Sequence, residues 1–294
     1  MTLLAYQIFQ TVVEQGSFQK AAQVLNLTPS AISHAISSAE KELGFPLFNR
    51  NKNGITLTSY GENLQPYILT VLNSDAKLQQ AILEFNGLTN GSVKIGTFSS
   101  VCTSFIPEIV TSFSKLHPNI DIKIYQGTYE DVYNWIKTGV VDIGFLSESS
   151  CHELELTSVY EDELLCVVPQ SHKTKHRKYI ELEELDGEKF ISQRESTDAD
   201  IQQLFHKYNL TIHSSCHVED DLSQIAMVAA GLGICIMPQL VMKNIPYAVD
   251  TYSLRPAEHR TIGICAVNRE SMAPAVKSMY NHILTFFKNM QQYQ

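Results

Sequence analysis

Ser30, Ser33, His34 and Ser37 recur at steps of three, one and three residues, while Ile32, Ala35, Ile36, Ala39 and Leu43 hold the intervening positions. On a helix of 3.6 residues per turn this spacing puts the small polar groups on one face and the apolar ones on the other. A hydroxyl donates or accepts, and an imidazole approaches a guanine edge or a phosphate without crowding, so the chemistry on offer is readout of base edges in a major groove. Any solvated helix also shows a polar face, and the four residues alone leave both readings open. A second set of hydroxyls, Ser99, Ser100 and Thr128, follows strand-like runs at Val93–Thr97 and Ile120–Tyr125 and precedes helical patterns. From there a hydroxyl either meets a small ligand at the carboxyl ends of strands or caps the next helix.

The elements that carry the first set are short helices. Leu3, Leu4, Ile8, Phe9, Val12 and Val13 recur at helical spacing until Gly16. Ser17 caps a second helix bearing Ala21, Ala22, Val24 and Leu25, and Asn26-Leu27 makes a turn. Thr28 then caps a third helix with Pro29 at its first position, and Gly44 ends it. Two short helices joined by a tight turn are a helix-turn-helix, whose second helix lies in the DNA major groove.

The run from Ala21 to Arg50, A-A-x-x-L-x-L-T-P-S-A-I-S-x-x-I-x-x-x-E-x-x-L-G-x-P-L-F-x-R, closing with Leu57-Thr58-x-x-Gly61, resembles the winged helix-turn-helix of LysR-type transcriptional regulators. The resemblance implies a recognition helix from Pro29 and a wing over Arg50 to Thr58. The DNA-binding set it implies is Thr28, Pro29, Ser30, Ser33, His34, Ser37, Arg50 and Lys52, with Arg50 and Lys52 near phosphates and Ser30, Ser33 and His34 reading bases. His34 stands where many relatives carry Arg, and Ala39 where many carry a bulkier aliphatic. Modest affinity per half-site is therefore expected, with avidity from oligomers.

From Thr58 the residues Tyr60, Leu64, Tyr67, Val71, Leu78, Ile82 and Phe85 keep three- and four-residue steps, missing a beat at Asp75, until Asn86-Gly87. The pattern predicts a coiled-coil seam of about 28 residues, roughly 42 Å long, with Pro66 kinking it and Asn90-Gly91 as a hinge. Such regulators dimerise through this helix.

Beyond residue 90, strand and helix patterns alternate twice over, which predicts parallel sheets with helices on both faces. The segments G-x-V-D-I-G-F at Gly139 to Phe145 and V-A-A-G-L-G-I-C-I-M-P at Val228 to Pro238 resemble the LysR-type effector-binding domain, itself similar to periplasmic solute-binding proteins. The expected fold is thus an α-helical winged helix-turn-helix domain (1–60), a linker helix (61–90) and an α/β two-lobed effector domain (91–294). Lobe I would span about 91–161 and 266–294, and lobe II about 162–265, with its own sheet. The resemblance places the effector in the cleft, touched by the hydroxyls of Ser100 and Thr128. Ser99, Val101 and Thr103 would line one side, and Gln193, Arg194 and Ser196 would approach from the other lobe. Arg194 could pair a carboxylate bidentately, favouring an organic acid or amino acid, or make a surface ion pair instead.

Composition sets the outer bounds. The 294 residues suggest two domains, and 44% hydrophobic with 18% charged residues is ordinary globular usage. Net charge is −9, yet residues 1–60 carry four basic against three acidic groups, and residues 91–294 carry 17 against 25. A polyanion would therefore meet the N-terminal end. No basic residue precedes Lys20, and the longest apolar run, Ile225 to Pro238, is 14 residues, so a cytoplasmic chain with no membrane partner is expected. Six scattered cysteines without a CxxC pair suggest free thiols. Cys102, beside the expected pocket at a helix start, could serve a redox-responsive regulator or pack as a small hydrophobe.

His172 and His176 with Cys166 lack a supporting ligand pair for zinc. Gly231-Leu-Gly233 precedes a strand instead of following one, and no nucleophile elbow, phosphate loop or HExxH is present. No cofactor, no metal and no catalytic activity are expected. The partners expected are double-stranded promoter DNA, a small-molecule effector and further copies of the chain, as homodimer or homotetramer. A solute-binding protein without DNA function would share the two lobes but have no use for residues 1–60.

Overall fold

The computed structural model describes residues 1–51, 54–85, 91–173, 176, 178–193, 199–243, 245–266, 269 and 272–292. It divides into two compact units, Met1–Asn90 with Lys137–Val140, and Gly91–Ile136 with Val141–Gln294. Lys137–Val140 thus falls outside the unit in which the sequence reading places it.

In the first unit the helices start and stop at the residues the capping rules single out. Helix α1 (Leu3–Gln15) ends at Gly16, which has a left-handed φ of 60°. Helix α2 (Phe18–Leu25) begins at Ser17, whose side chain accepts from the Lys20 N–H, and ends at Asn26, also left-handed. Helix α3 (Pro29–Leu43) begins at Thr28, whose side chain accepts from Ala31 N–H, and ends at Gly44. Ile8, Phe9, Val12, Ala21, Ala22, Ile32, Ile36, Leu47 and Phe48 are buried together, each large side chain contributing about 1.5–3 kcal/mol. Ala39 is buried in the same cluster. Its small size bears on packing, not on the exposed face.

Strands β1 (Phe48–Asn51) and β2 (Gly54–Leu57) pair antiparallel as a hairpin, with Phe48 opposite Leu57. Its root is fixed twice. Glu40 Oε1 accepts from the N–H groups of Leu47 and Phe48 at 2.8 and 3.3 Å. Thr58 donates from its hydroxyl to Pro46 O at 2.8 Å and from its N–H to Leu47 O at 3.0 Å. Helix α4 (Ser59–Phe85) then runs for 27 residues with Pro66 inside it. A Cβ on Gly61 would collide with the Leu47 carbonyl, so the motif glycine is where helix and hairpin root touch. Ile68 joins the core, whereas Tyr60, Tyr67, Val71, Leu78 and Ile82 of the expected seam are exposed.

The second unit opens with β3 (Gly91–Thr97), α5 (Ser99–Ser104), α6 (Ile106–Leu116), β4 (Ile120–Gln126), α7 (Tyr129–Thr138) and β5 (Ile143–Ser147). Strand β6 (Thr157–Pro169) then runs for 13 residues. It leads into β7 (Tyr179–Glu181), β8 (Lys189–Gln193), α8 (Ala199–Tyr208), β9 (His213–Val218), α9 (Asp221–Ala229) and β10 (Cys235–Pro238). Strands β11 (Val249–Arg255) and β12 (His259–Cys265) and helix α10 (Pro274–Gln291) complete the unit.

Two expectations for this unit need correction. The sheets are mixed, not parallel: β3 pairs parallel with β4 and β5, but β12 pairs antiparallel with both β5 and β6. Nor does lobe II have a separate main sheet. The order β4-β3-β5-β12-β6-β11-β7, with β10 also on β6, is one continuous ladder, because β6 and β12 carry hydrogen bonding from one lobe into the other. Among the described residues of this unit, the parallel pair β8-β9 meets that ladder through a single bridge, Phe190 with Ile234 just before β10. The first half of β6 escapes the hydrophobic pattern because Glu161, Asp162 and Glu163 interrupt it.

Candidate DNA-reading face and effector cleft

On α3 the polar set is presented as its spacing predicts. Thr28, Pro29, Ser30, His34 and Ser37 are exposed and Ser33 is half-buried, while Ile32 and Ile36 on the opposite face are fully buried. Ser30 shares a hydrogen bond with the capping hydroxyl of Thr28 at 3.0 Å, which holds both at the helix start. Arg50, on the first strand of the hairpin, lies with its guanidinium over the Phe18 ring at 5.0 Å and 3.4 Å from Ser37 Oγ. Glu40 is 3.9 Å from it. The cation is thus lodged between hairpin and helix with its outer side in solvent. Lys52 lies outside the described residues. Gln19, Lys20 and Gln23 on α2 are also exposed, and the sequence reading gave them no role.

The second unit encloses a cavity of about 330 Å³ between the two lobes. From lobe I, Ser99, Ser100 and Thr128 line it beside Phe98, Gln126 and Tyr129; from lobe II come Gln193, Asp221, Gln224 and Met237. Ser99, Ser100, Thr128 and Gln193 are therefore brought together around one space. Val101 and Thr103 do not face it. Val101 is fully buried, and the Thr103 hydroxyl folds back onto the carbonyls of Ser99 and Ser100, the ordinary fate of a threonine inside a helical turn. Arg194 and Ser196 lie outside the described residues.

The Thr128 hydroxyl is not open to a ligand as expected. It donates to Asp131 Oδ2 at 2.8 Å, and the Asp131 N–H donates back to it at 3.1 Å, a reciprocal cap that satisfies the start of α7. Ser100 differs. It is buried and accepts from Arg260 Nη2 at 2.7 Å, which leaves its own proton to give.

Arg260 is the residue around which the cleft is built. Its guanidinium donates through Nε and Nη2 to Asp162 Oδ2 at 2.9 and 2.6 Å, and through Nη1 to the Tyr129 oxygen at 2.7 Å. Its flat face lies 5.2 Å from the centre of the Phe98 ring. Tyr129 donates in turn to Asp200 Oδ2 at 2.9 Å, and Ser147 donates to Asp200 Oδ1 at 2.5 Å. Asp200 of α8 is thereby clasped by two hydroxyls from lobe I. Desolvation opposes the charge on Arg260, but Tyr129, Asp162 and Asp200 together outweigh it and hold the guanidinium above its ordinary value. Desolvation also pushes the Tyr129 phenol well up, keeping it a donor. Asp162 is raised by burial, against the pull of Arg260, and is tied further by the Leu240 N–H at 3.0 Å.

Ser100 apart, none of this network was visible in sequence. Asp162 and Arg260 are 98 residues apart. The one available signal was a charged residue inside or beside a strand pattern, a position that demands a partner once buried.

Burial acts on the thiols as well. Desolvation raises Cys102 and pushes Cys166 to about 12, the opposite of the activated thiolate a helix start would favour. Among the described residues no group of His, Cys, Asp or Glu is placed to hold a metal, and no helix is long and apolar enough to cross a membrane.

Both units match known families. Residues 3–62 match the bacterial regulatory helix-turn-helix protein family of LysR type, and residues 86–288 match the LysR substrate binding domain. The chain is 30% identical over 280 residues to the uncharacterized HTH-type transcriptional regulator YvbU of Bacillus subtilis, covering 94% of this chain and 96% of that one. A full-length OxyR variant from Pseudomonas aeruginosa superposes with a TM-score of 0.72 at 19% identity, over 97% of this chain and 98% of that one. The effector binding domain of QuiR in complex with shikimate gives 0.61 at 23%, over 68% and 98%. The chain belongs to the LysR family of transcriptional regulators, proteins that bind promoter DNA through an N-terminal winged helix-turn-helix and answer to a small-molecule effector held by a two-lobed C-terminal domain.

Proposed function

We propose that this regulator reads its operator with Ser30, Ser33 and His34 of α3, anchored to phosphates by Arg50, Lys52 and the Thr28 end of the helix. The effector sits in the cleft against Ser99, Ser100 and Gln193. The observation that carries the reading is the split character of α3, with Ile32, Ile36 and Ala39 buried in the unit and Ser30, His34 and Ser37 in solvent beside the Arg50 guanidinium. The exposed stripe Tyr60, Tyr67, Val71, Leu78 and Ile82 on α4 supports assembly as a homodimer or homotetramer, since apolar side chains at heptad-like spacing seek a second helix. The chain acts in the cytoplasm without catalytic activity, its output being occupancy and geometry on DNA. Effector binding shifts the protein only by its differential affinity for two lobe arrangements. Ser196 keeps its place in the proposal as an effector contact.

A gel-shift titration against fragmented genomic DNA over a salt series tests this. A few fragments should be retained with a steep salt slope. His34→Ala should cost about 1–3 kcal/mol on those fragments and nothing on bulk DNA, whereas Arg50→Ala should weaken both alike and lower the salt slope by about one. Loss of discrimination in neither variant, or no retained fragment with and without effector, overturns the assignment.

A further inference from the structure

The lobe II wall of the cleft offers acceptors, and we infer that the effector carries a positively charged nitrogen, an ammonium or guanidinium, directed at Gln193, Asp221 and Gln224; the inference rests on the cleft being the effector site. Two amides carry the argument. Gln193 and Gln224 are 8% and 3% exposed and both line the cavity. Gln193 donates from Nε2 to Asp221 Oδ1 at 2.6 Å, and Gln224 donates from Nε2 to the Ile191 carbonyl at 2.6 Å. Both partners are pure acceptors, so each amide must present its NH₂ to the protein and keep its carbonyl Oε1 for something else. Among the described residues neither Oε1 has a protein partner, and Asp221 Oδ2 has none either. Acceptors of this kind, open to the cavity, call for a donor-rich ligand, because leaving them unmet once a ligand displaces the water costs free energy.

Charge points the same way. Asp131, Asp200, Glu219, Asp220 and Asp221 line the cavity, and the one cation among the described lining residues, Arg260, is neutralised by Asp162. Asp131 and Asp220 already cap α7 and α9, so those two helix starts, which would otherwise attract an anion, are filled by the chain itself. Phe98, Ile201, Ile236, Met237 and Val241 add apolar surface, and Ser99, Ser100 and Gln126 of lobe I add hydroxyls and an amide on the opposite side. The fitting ligand is a small amine with an apolar body. This departs from the organic acid that Arg194 suggested in the sequence.

Calorimetric titration of the full chain with phenethylamine, agmatine and putrescine, set against 3-phenylpropionate and succinate, decides it. Phenethylamine and phenylpropionate share ring and spacer and differ in the sign of the head group. At least one amine should bind saturably and at least tenfold more tightly than either carboxylate. D221N should weaken that amine at least fivefold. D221K should reverse the preference toward phenylpropionate, a gain that a misfolded protein could not show. Silence from all three amines up to about 10 mM, a limit at which binding is too weak to matter, overturns the inference, as does a carboxylate that binds as tightly as the amines. A carboxylate that binds and alters the promoter complex overturns the charge assignment alone and leaves the regulatory reading intact. Failure of the DNA titration above strikes the regulatory reading instead.

Discussion

On α3, Ser30, His34 and Ser37 stand in solvent, Ser30 and Ser37 each with one partner at the surface, while around the cleft Tyr129, Ser147 and Asp200 hydrogen-bond one another and Tyr129 and Ser100 accept from Arg260. The two regions use similar side chains for different ends. A surface that must accept many DNA sequences and prefer a few keeps its donors and acceptors free, because phosphate contacts position and base edges choose. A cavity that must take one ligand fixes its walls in advance, since groups already ordered lose less entropy on binding.

The sharpest way to break this contrast is to remove the charge at its centre. Arg260→Met leaves Asp162 buried without its counter-charge and should destabilise the second unit by about 3–5 kcal/mol, read as a fall in the urea midpoint. Asp162→Leu with Arg260→Met should recover most of that loss, because the cost lies in the orphaned charge and not in the absent pair. Equal losses in the single and double variants would show the pair to be stabilising in its own right.

The contrast also accounts for what could be read before the fold was known. The α3 face, its cap at Thr28 and its stops at Asn26 and Gly44 are local features, set within one or two turns by spacing and by backbone preference. Ser100 and Gln193 could be placed near the cleft because strand ends converge there. Asp162, Asp200 and Arg260 could not, since their meaning comes from strands and helices that meet across long chain separations. Thr128 shows the intermediate case. It lines the cavity, but its hydroxyl closes on Asp131 three residues on, a local partner that capping chemistry supplies.

Gly61→Ala sharpens the comparison from the other side, by loosening the region that depends on local fit. Its added Cβ meets the Leu47 carbonyl, which cannot yield without moving the hairpin root. A loss of about 1–3 kcal/mol is expected from the first unit, with weaker DNA binding and no change in effector affinity. Unchanged hairpin chemical shifts in such a variant would count against a fixed root.

The smallest effect should come from Asp220. Its carboxyl is held below the usual range by the hydroxyl and N–H of Ser223. A group depressed in the folded state stabilises it at neutral pH, and that contribution fades as pH falls through the lowered value. Asp220→Ala should cost about 1 kcal/mol at pH 7. The gap between wild type and Asp220→Asn in thermal midpoint should narrow steadily below about pH 4. A gap that widens in acid would reverse the sign assigned here.

Glu40 ties the root of the hairpin to the last turn of α3 through two backbone N–H groups, and Arg50 bridges the same two elements from outside. Helix and hairpin therefore move as one rigid stamp with a fixed footprint. When two such stamps must meet half-sites of unequal spacing, neither can stretch to suit, and the adjustment passes to the duplex as bend or twist. Sequences that bend cheaply between half-sites would then be preferred although no side chain touches them.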